Sequence, residues 1–257
     1  MHSLQRPPMS RKLLQNLQGA PLRVVHNKTS GGEATVYVYD VIDPWWGVSA
    51  QAFAQALAAL DVSTIHLRIN SPGGDVFEAS AMLAAIRAHP ARIISHVDGL
   101  AASAASYLAM AADEVRISDS GFFMIHNPWS IAFGDAKAFR KSADTLDKIA
   151  DSIINEYVKR SKESRATIQE WMDGETWFNA AEAKEHGFAD SIEGANDEPK
   201  DSFDLSVFSK VPEALQASAE AAGVTRDTQP LRDVVVVRSK REQEQLLRDA
   251  GISVADA

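Results

Sequence analysis

Short runs of β-branched and aromatic residues alternate along the chain with stretches in which apolar residues recur at helical spacing. The runs predict buried strands, at residues 35–42, 64–70, 93–97, 114–117 and 122–125. The stretches predict helices, at residues 49–60, 76–89, 102–112, 135–161, 167–172 and 180–185. Strands and helices that alternate at this spacing indicate an α/β fold with a largely parallel sheet. Functional residues are then expected in the loops that follow the strands.

The longest predicted helix has an apolar stripe between many charged residues. The stripe consists of Phe139, Leu146, Ile149, Ile153 and Tyr157. It predicts packing against other elements, and a helix of this length often also packs against a partner subunit.

The two ends of the chain differ in composition from the middle. Residues 1–22 are polar and contain prolines, which predicts a flexible N-terminal segment. Polar and proline-bearing residues from 194 onward indicate a linker, so we expect the main domain at residues 23–193 and a linker with a partly ordered helical tail at 194–257. Short elements are predicted within this tail, at residues 211–222, 234–237 and 240–250. The tail is too short and too polar to have a core of its own.

Composition excludes several classes of function. The 257 residues include 26 Lys and Arg and 35 Asp and Glu, for a formal net charge of −9, so no broad basic surface for nucleic acid is expected. The absence of cysteine excludes disulfides, thiolate catalysis and cysteine metal sites, and it suits a reducing cytoplasm. No run approaches the ~18 apolar residues of a membrane span, and the start lacks the apolar part of a secretory signal. We therefore expect a cytoplasmic protein that contacts neither nucleic acid nor membrane.

Two residues that follow predicted strands are candidates for nucleophilic catalysis. Ser103 comes after Gly99, which is expected to break the strand of residues 93–97, and it stands near the start of an alanine-rich helix. Unpartnered N–H groups and the helix dipole favour negative charge there, so Ser103 is either an exposed nucleophile or a helix cap. His126 directly follows the strand of residues 122–125, and its imidazole can act as the base that a serine nucleophile requires.

Groups that could complete such a site lie in two other loops. Gly73 and Gly74 follow a predicted strand and can expose backbone N–H groups, because no side chain blocks the approach of a ligand. The N–H of Gly74, paired with that of Ala104, could hold an oxyanion during acyl transfer. Asp173 and Glu175 are the acidic candidates for orienting the imidazole, although each alone is typical of a solvated turn.

Four segments, in the same order along the chain, resemble the proteolytic subunit of the Clp protease family over residues 34–192. They are the glycine loop Ile69–Gly74, the nucleophile turn Gly99–Ser103, the histidine segment Met124–Pro128 and the segment Phe178–Asp190. The resemblance implies a crotonase-like fold of repeated β-β-α units with a protruding long helix. It also implies a serine endopeptidase that needs no metal or organic cofactor, with Ser103 as nucleophile and His126 as base. The N–H groups of Gly74 and Ala104 are the implied oxyanion donors.

The third member of the triad and the chain ends depart from the family pattern. The family's acid is usually an aspartate at a fixed distance before the Phe-x-x-Ala segment, and this distance leads to Glu175, with Asp173 as the second choice. Residues 128–133 are more apolar than the family's glycine-rich stretch, and the tail after Glu193 is extra. A Clp-like core with such a tail resembles the phage and prophage proteases that mature viral heads.

The resemblance also implies partners. The family stacks rings around an enclosed chamber, so we expect a homo-oligomeric ring that hydrolyses polypeptides. Its partner would be an ATP-dependent unfoldase or phage capsid and scaffold proteins. ATP would be used by the partner, because this chain lacks a G-x-x-x-x-G-K-[ST] loop. The sequence does not indicate cleavage preference or ring size.

Three alternatives fit some of the same residues. A signal-peptide-peptidase-like hydrolase would pair Ser103 with Lys137 or Lys141, which are expected on charged faces of the long helix. A crotonase-like acyl-CoA enzyme would use the glycine-supported oxyanion site on a thioester enolate, without a nucleophilic serine. A non-catalytic assembly subunit is the third alternative, which the tail and the long amphipathic helix favour.

Overall fold

The structure, a computed structural model, describes residues 24–27 (backbone only), 32–45, 47–194, 203 and 205–216. These residues all belong to the first of two units of the chain, which ends at Val224. Several sequence-based expectations lie outside the described residues. They concern the N-terminal segment 1–22, the linker 195–202, and the tail elements at 217–222, 234–237 and 240–250.

The described residues form a sheet with helices between its strands. The strands are β1 (Val24–Asn27), β2 (Glu33–Val38), β3 (Thr64–Ser71), β4 (Arg92–Ala102), β5 (Glu114–Ser118), β6 (Phe122–Ile125), β7 (Thr176–Asn179) and β8 (Ser191–Glu193). The helices are α1 (Ala50–Ala58), α2 (Val76–Ala88), α3 (Ala104–Ala109), α4 (Ala136–Arg160), α5 (Arg165–Asp173) and α6 (Ala180–Glu185).

The sheet has eight strands among the described residues, in the order β1-β2-β3-β4-β5-β8, with β6 beside β4 and β7 beside β6. Neighbouring strands are parallel except for the pairs β1–β2 and β6–β7. This arrangement confirms the expected α/β fold with a mostly parallel sheet. The sequence pattern missed β1, β7 and β8, because each has at most two consecutive apolar residues, whereas the four-residue β6 is apolar throughout.

Strand β4 corrects one expectation, because it does not break at Gly99. Its residues Ile94–Val97 pair with β5, and its residues Leu100–Ala102 pair with β6. The chain stays extended through Gly99 because β4 exchanges one hydrogen-bonded neighbour for another there. Since Ala102 is in register with Met124, the residues that follow β4 and β6 leave the sheet side by side.

Strand β2 is also shorter than expected, ending at Val38 instead of residue 42. Ile42 instead forms isolated bridges to Val48 and to Gly74. Its N–H donates to the carbonyl of Gly73 at 2.7 Å, and its own carbonyl accepts from Asp75 N at 2.8 Å. These two bonds hold the glycine loop after β3.

The main core lies between one face of the sheet and the helices. Alternate residues of β3 face this core, which also contains Phe53 of α1 and Met82 of α2. The other face of the sheet is polar in part, where Arg68 pairs with Asp98 and where His66 Nδ1 lies 2.9 Å from His96 Nε2. The rest of that face carries a smaller apolar cluster. It comprises Leu100, Ala102, Met124, Leu205 and Phe208.

The long helix α4 matches the expected span closely. Asp135 caps its first turn by accepting a hydrogen bond from Ala138 N, at 2.9 Å. Its C-terminal half is packed into the core through Ile153, Ile154 and Tyr157, while Phe139 near its start is 52 % exposed. None of the helices in the described part of the chain has the length and apolarity needed to cross a membrane.

Candidate active site

Ser103 occupies a strained turn between β4 and α3. Its backbone has φ 54° and ψ −123°, a conformation that residues other than glycine rarely adopt. Its side chain makes no capping hydrogen bond to α3, so the helix-cap interpretation does not describe this serine. Oγ lies instead 2.7 Å from Nε2 of His126. The strained turn therefore directs the hydroxyl away from its own helix and towards an imidazole.

His126 follows β6 and is half-buried. Burial lowers the pKa of His126, and the negative charge of Glu175 opposes this shift only in part. The imidazole is therefore neutral at neutral pH, and Nε2 can accept the hydroxyl proton of Ser103 in the tautomer that carries its proton on Nδ1. A distance of 2.7 Å is within the range required for that transfer.

Ser106 supports the nucleophile turn from behind. Its Oγ lies 2.6 Å from the carbonyl oxygen of Ser103 and 2.7 Å from that of Met124. The hydroxyl of Tyr157 is 2.8 Å from the same Oγ and can donate to it, which leaves the Ser106 proton for a carbonyl. The sequence analysis did not identify Ser106 as a supporting residue. Its position, three residues after the candidate nucleophile in an alanine-rich run, could have indicated this role.

The glycine loop approaches the nucleophile turn closely. A Cβ atom on Gly73 would lie 2.6 Å from the carbonyl oxygen of Ala102 and 2.8 Å from Cβ of Ser103, so only glycine fits there. Among the described residues, the N–H groups of Gly74 and Ala104 have no hydrogen-bond partner. Both candidate oxyanion donors thus line the same cavity as Ser103. A substrate oxygen there could accept hydrogen bonds from both N–H groups.

The two candidate acids have other partners. Glu175 has φ 49° and accepts hydrogen bonds from the backbone N–H groups of Ser209, at 2.9 Å, and Lys210, at 2.6 Å. Burial acts to raise the pKa of Glu175, but these two hydrogen bonds help to hold it below its ordinary value. Asp173 accepts from the side-chain amide of Asn127, at 2.7 Å. Within the described part of the chain, neither carboxylate accepts a hydrogen bond from His126, so the structure unites Ser103 with His126 but not with an acid.

A cavity of about 650 Å³ opens beside the serine and histidine. Its lining includes Gly74, Ala104, Tyr107, Lys141, Val207 and Phe208. Lys141 belongs to this lining, whereas the other lysine considered above, Lys137, does not. Over the described ranges, no three His, Asp or Glu side chains are grouped to hold a metal ion.

The chain is similar to known proteins over the residues that form most of the sheet and carry the candidate site. Residues 33–196 match the family model for Clp protease. The ATP-dependent Clp protease proteolytic subunit 1 of Protochlamydia amoebophila is 31% identical over 165 residues, which cover 61% of this chain and 79% of that protein. The ATP-dependent Clp protease proteolytic subunit 1 of Chlamydia abortus is 34% identical over 129 residues, covering 48% and 67%. The proteolytic subunit of Phaseolus vulgaris is 33% identical over 130 residues, covering 50% and 66%.

Proposed function

Because the chain belongs to the Clp protease family and is a serine-type peptidase, we propose that it hydrolyses peptide bonds with Ser103 as nucleophile and His126 as general base. Nε2 of His126 takes the hydroxyl proton while Oγ of Ser103 attacks the peptide carbonyl. The N–H groups of Gly74 and Ala104 donate hydrogen bonds to the oxyanion of the tetrahedral intermediate. The amine leaves with the proton from His126, and water that His126 deprotonates then hydrolyses the acyl-enzyme.

The observation that carries this proposal is the 2.7 Å contact between Oγ of Ser103 and Nε2 of a half-buried, neutral His126. The test is Ser103→Ala in the full chain. Peptide hydrolysis is expected to fall by at least about 10⁴-fold, because the group that forms the acyl-enzyme is gone. A fluorophosphonate is expected to label the wild type at Ser103 by mass spectrometry, and undiminished proteolysis by the variant would contradict the assignment.

A Ser–Lys dyad is the alternative with a structural argument, since Lys141 lines the same cavity as Ser103. In that case His126→Ala would keep activity and Lys141→Ala would lose it. We expect the opposite for His126, because its Nε2 already contacts the hydroxyl. Lys137→Ala, on the same helix but outside the cavity lining, is the matched control and is expected to behave as the wild type.

For the third member of the triad we propose Glu175, with Asp173 as the second choice. Glu175 is near enough to His126 for its charge to raise the pKa of the imidazole, whereas Asp173 has no such effect. Asp173 is instead engaged by the side-chain amides of Asn127 and Gln169. In this proposal Glu175 exchanges its present partners for Nδ1 of His126 and so orients the imidazole.

We further propose a peptidase domain of residues 23–193 that assembles into a homo-oligomeric ring. The family match over residues 33–196 supports the boundary, as does the end of β8 at Glu193. Phe139 lies in the N-terminal half of α4, where no residue is buried. Its exposed ring supports a contact with another subunit. Light scattering at micromolar concentration should give the mass of an oligomer, and a compact monomer would contradict the ring.

The partners follow from the relatives, which are named as ATP-dependent proteolytic subunits. We propose that this chain hydrolyses polypeptides delivered by an ATP-driven unfoldase in the cytoplasm. The narrower resemblance to phage head-maturation proteases, with capsid or scaffold proteins as partners, stays a prediction.

A further inference from the structure

Residues 205–216, here called the tail segment, cover apolar surface beside the candidate active site. Leu205 and Phe208 are only 8 % and 9 % exposed, because they pack on Leu100, Ala102 and Met124 at the ends of β4 and β6. Val211 and Leu215 extend the same contact. The family match ends at residue 196, so the tail segment lies outside the part of the chain that matches the family.

Phe208 stands directly against the catalytic imidazole. Its ring centroid lies 5.5 Å from that of His126, at an interplanar angle of 73°, and 5.6 Å from that of Trp177, at 82°. Both are edge-to-face contacts, which are favourable for aromatic pairs. Val207 and Phe208 also line the cavity into which Ser103 opens. The tail segment therefore forms one wall of the cavity through which a substrate approaches the hydroxyl.

The next two residues of the tail segment engage the candidate acid. The N–H of Ser209 donates to Oε2 of Glu175 and the N–H of Lys210 donates to Oε1, so both carboxylate oxygens are used. The side chain of Lys210 adds a contact between Nζ and the carbonyl oxygen of Gly174. Charge-assisted bonds of this kind are stronger than neutral ones, so Glu175 is held in place by the tail segment.

We propose that the tail segment is an intramolecular inhibitor of its own active site, an inference that rests on the proposed function. Phe208, packed on His126, narrows the cleft beside Ser103, and the amides of Ser209 and Lys210 keep Glu175 from His126. Displacement of the tail segment opens the cleft and frees Glu175 to accept a hydrogen bond from Nδ1 of the imidazole. One segment thus controls both substrate access and the orientation of the base.

The test compares full-length variants that release one contact at a time. Phe208→Ala is expected to raise the rate of hydrolysis of short fluorogenic peptides at least tenfold, together with the rate of fluorophosphonate labelling at Ser103. Ser209→Pro removes the N–H that donates to Glu175 and is expected to raise the same rates. Its matched control is Ser209→Ala, which keeps that N–H and should match the wild type. Glu213→Ala, at an exposed position of the tail segment, is a second control.

The outcomes separate the two proposals. If Ser103 is labelled in every protein but Phe208→Ala and Ser209→Pro react at the wild-type rate, the inhibitor proposal is overturned while the proposed function stands. If no protein is labelled at Ser103, the proposed function fails and the inhibitor proposal fails with it. Hydrogen exchange gives an independent readout. The amides of Ser209 and Lys210 should be protected in the wild type and exchange faster in Phe208→Ala, and unprotected amides in the wild type would overturn the docking itself.

Discussion

The hydroxyl oxygens of Ser106 and Tyr157 lie 2.8 Å apart, and this contact joins the nucleophile turn to the long helix α4. Tyr157 is 1 % exposed and packs edge-to-face on Phe188, so its hydroxyl has a fixed position. Ser106 passes this restraint on to Ser103, whose carbonyl oxygen is 2.6 Å from Oγ of Ser106. The helix that was expected from its apolar stripe therefore also supports the strained backbone of the nucleophile.

Tyr157→Phe should reveal this support. Losing the hydroxyl leaves Ser106 without a buried donor, which is expected to lower the free energy of unfolding by about 1 kcal/mol. We also expect kcat to fall several-fold with little change in KM, because the turn of Ser103 is less well held. Urea denaturation and peptide hydrolysis measure the two effects. In a double-mutant cycle with Ser106→Ala the losses should be non-additive, and full additivity would contradict the coupling.

Gly73→Ala tests the close approach of the glycine loop. Gly73 has φ 93°, and an added Cβ would meet backbone atoms of Ala102 and Ala104 as well as Ser103. We expect a loss of about 1–3 kcal/mol of stability, and a loss of most peptidase activity because the oxyanion donors move. Gly194→Ala is the matched control, since a Cβ there meets nothing within 4 Å. Equal activity of the two variants would contradict the assigned role of the loop.

The choice between the two acids can be made by removing one charge at a time. Glu175→Gln is expected to lower kcat at least about tenfold, because the imidazole loses the group that would orient it. Asp173→Asn should change kcat by less than about twofold, since Asp173 contacts Asn127 and Gln169 and not His126. Steady-state kinetics in the Phe208→Ala background avoids any effect of the tail segment. A larger loss from Asp173→Asn would transfer the role to Asp173.

The pH profile follows from the burial of His126. Because burial lowers the pKa of the imidazole, its neutral form persists below the ordinary histidine pKa near 6.5, and the acid limb of kcat/KM should lie below that pH. Glu175 raises the pKa of His126, so Glu175→Gln should move the acid limb to still lower pH. Asp173→Asn should leave the limb where it is. An acid limb that moves upward in Glu175→Gln would contradict the electrostatic coupling.

The local pattern of apolar and polar residues was enough to predict most of the strands and helices. The β-branched runs led to five of the strands, and helical spacing led to α1, α2 and α4 with errors of a few residues. The local pattern gave the wrong result at Gly99, because a glycine in an apolar run indicates the end of a strand. Strand β4 continues there because its neighbour changes from β5 to β6. That exchange is a property of neighbouring strands, and no short stretch of sequence contains it.

The sequence by itself determined which residue types stand at the ends of which strands, and hence that Ser103, His126 and the two glycines were the candidates. Only the tertiary structure decided that Ser103 and His126 meet at 2.7 Å, because the register of β4 on β6 brings together residues 23 positions apart. It also decided that Phe208 covers His126 and that Ser209 and Lys210 engage Glu175. Contacts at such separations depend on how the whole chain packs, and the local spacing of apolar and polar residues does not encode them.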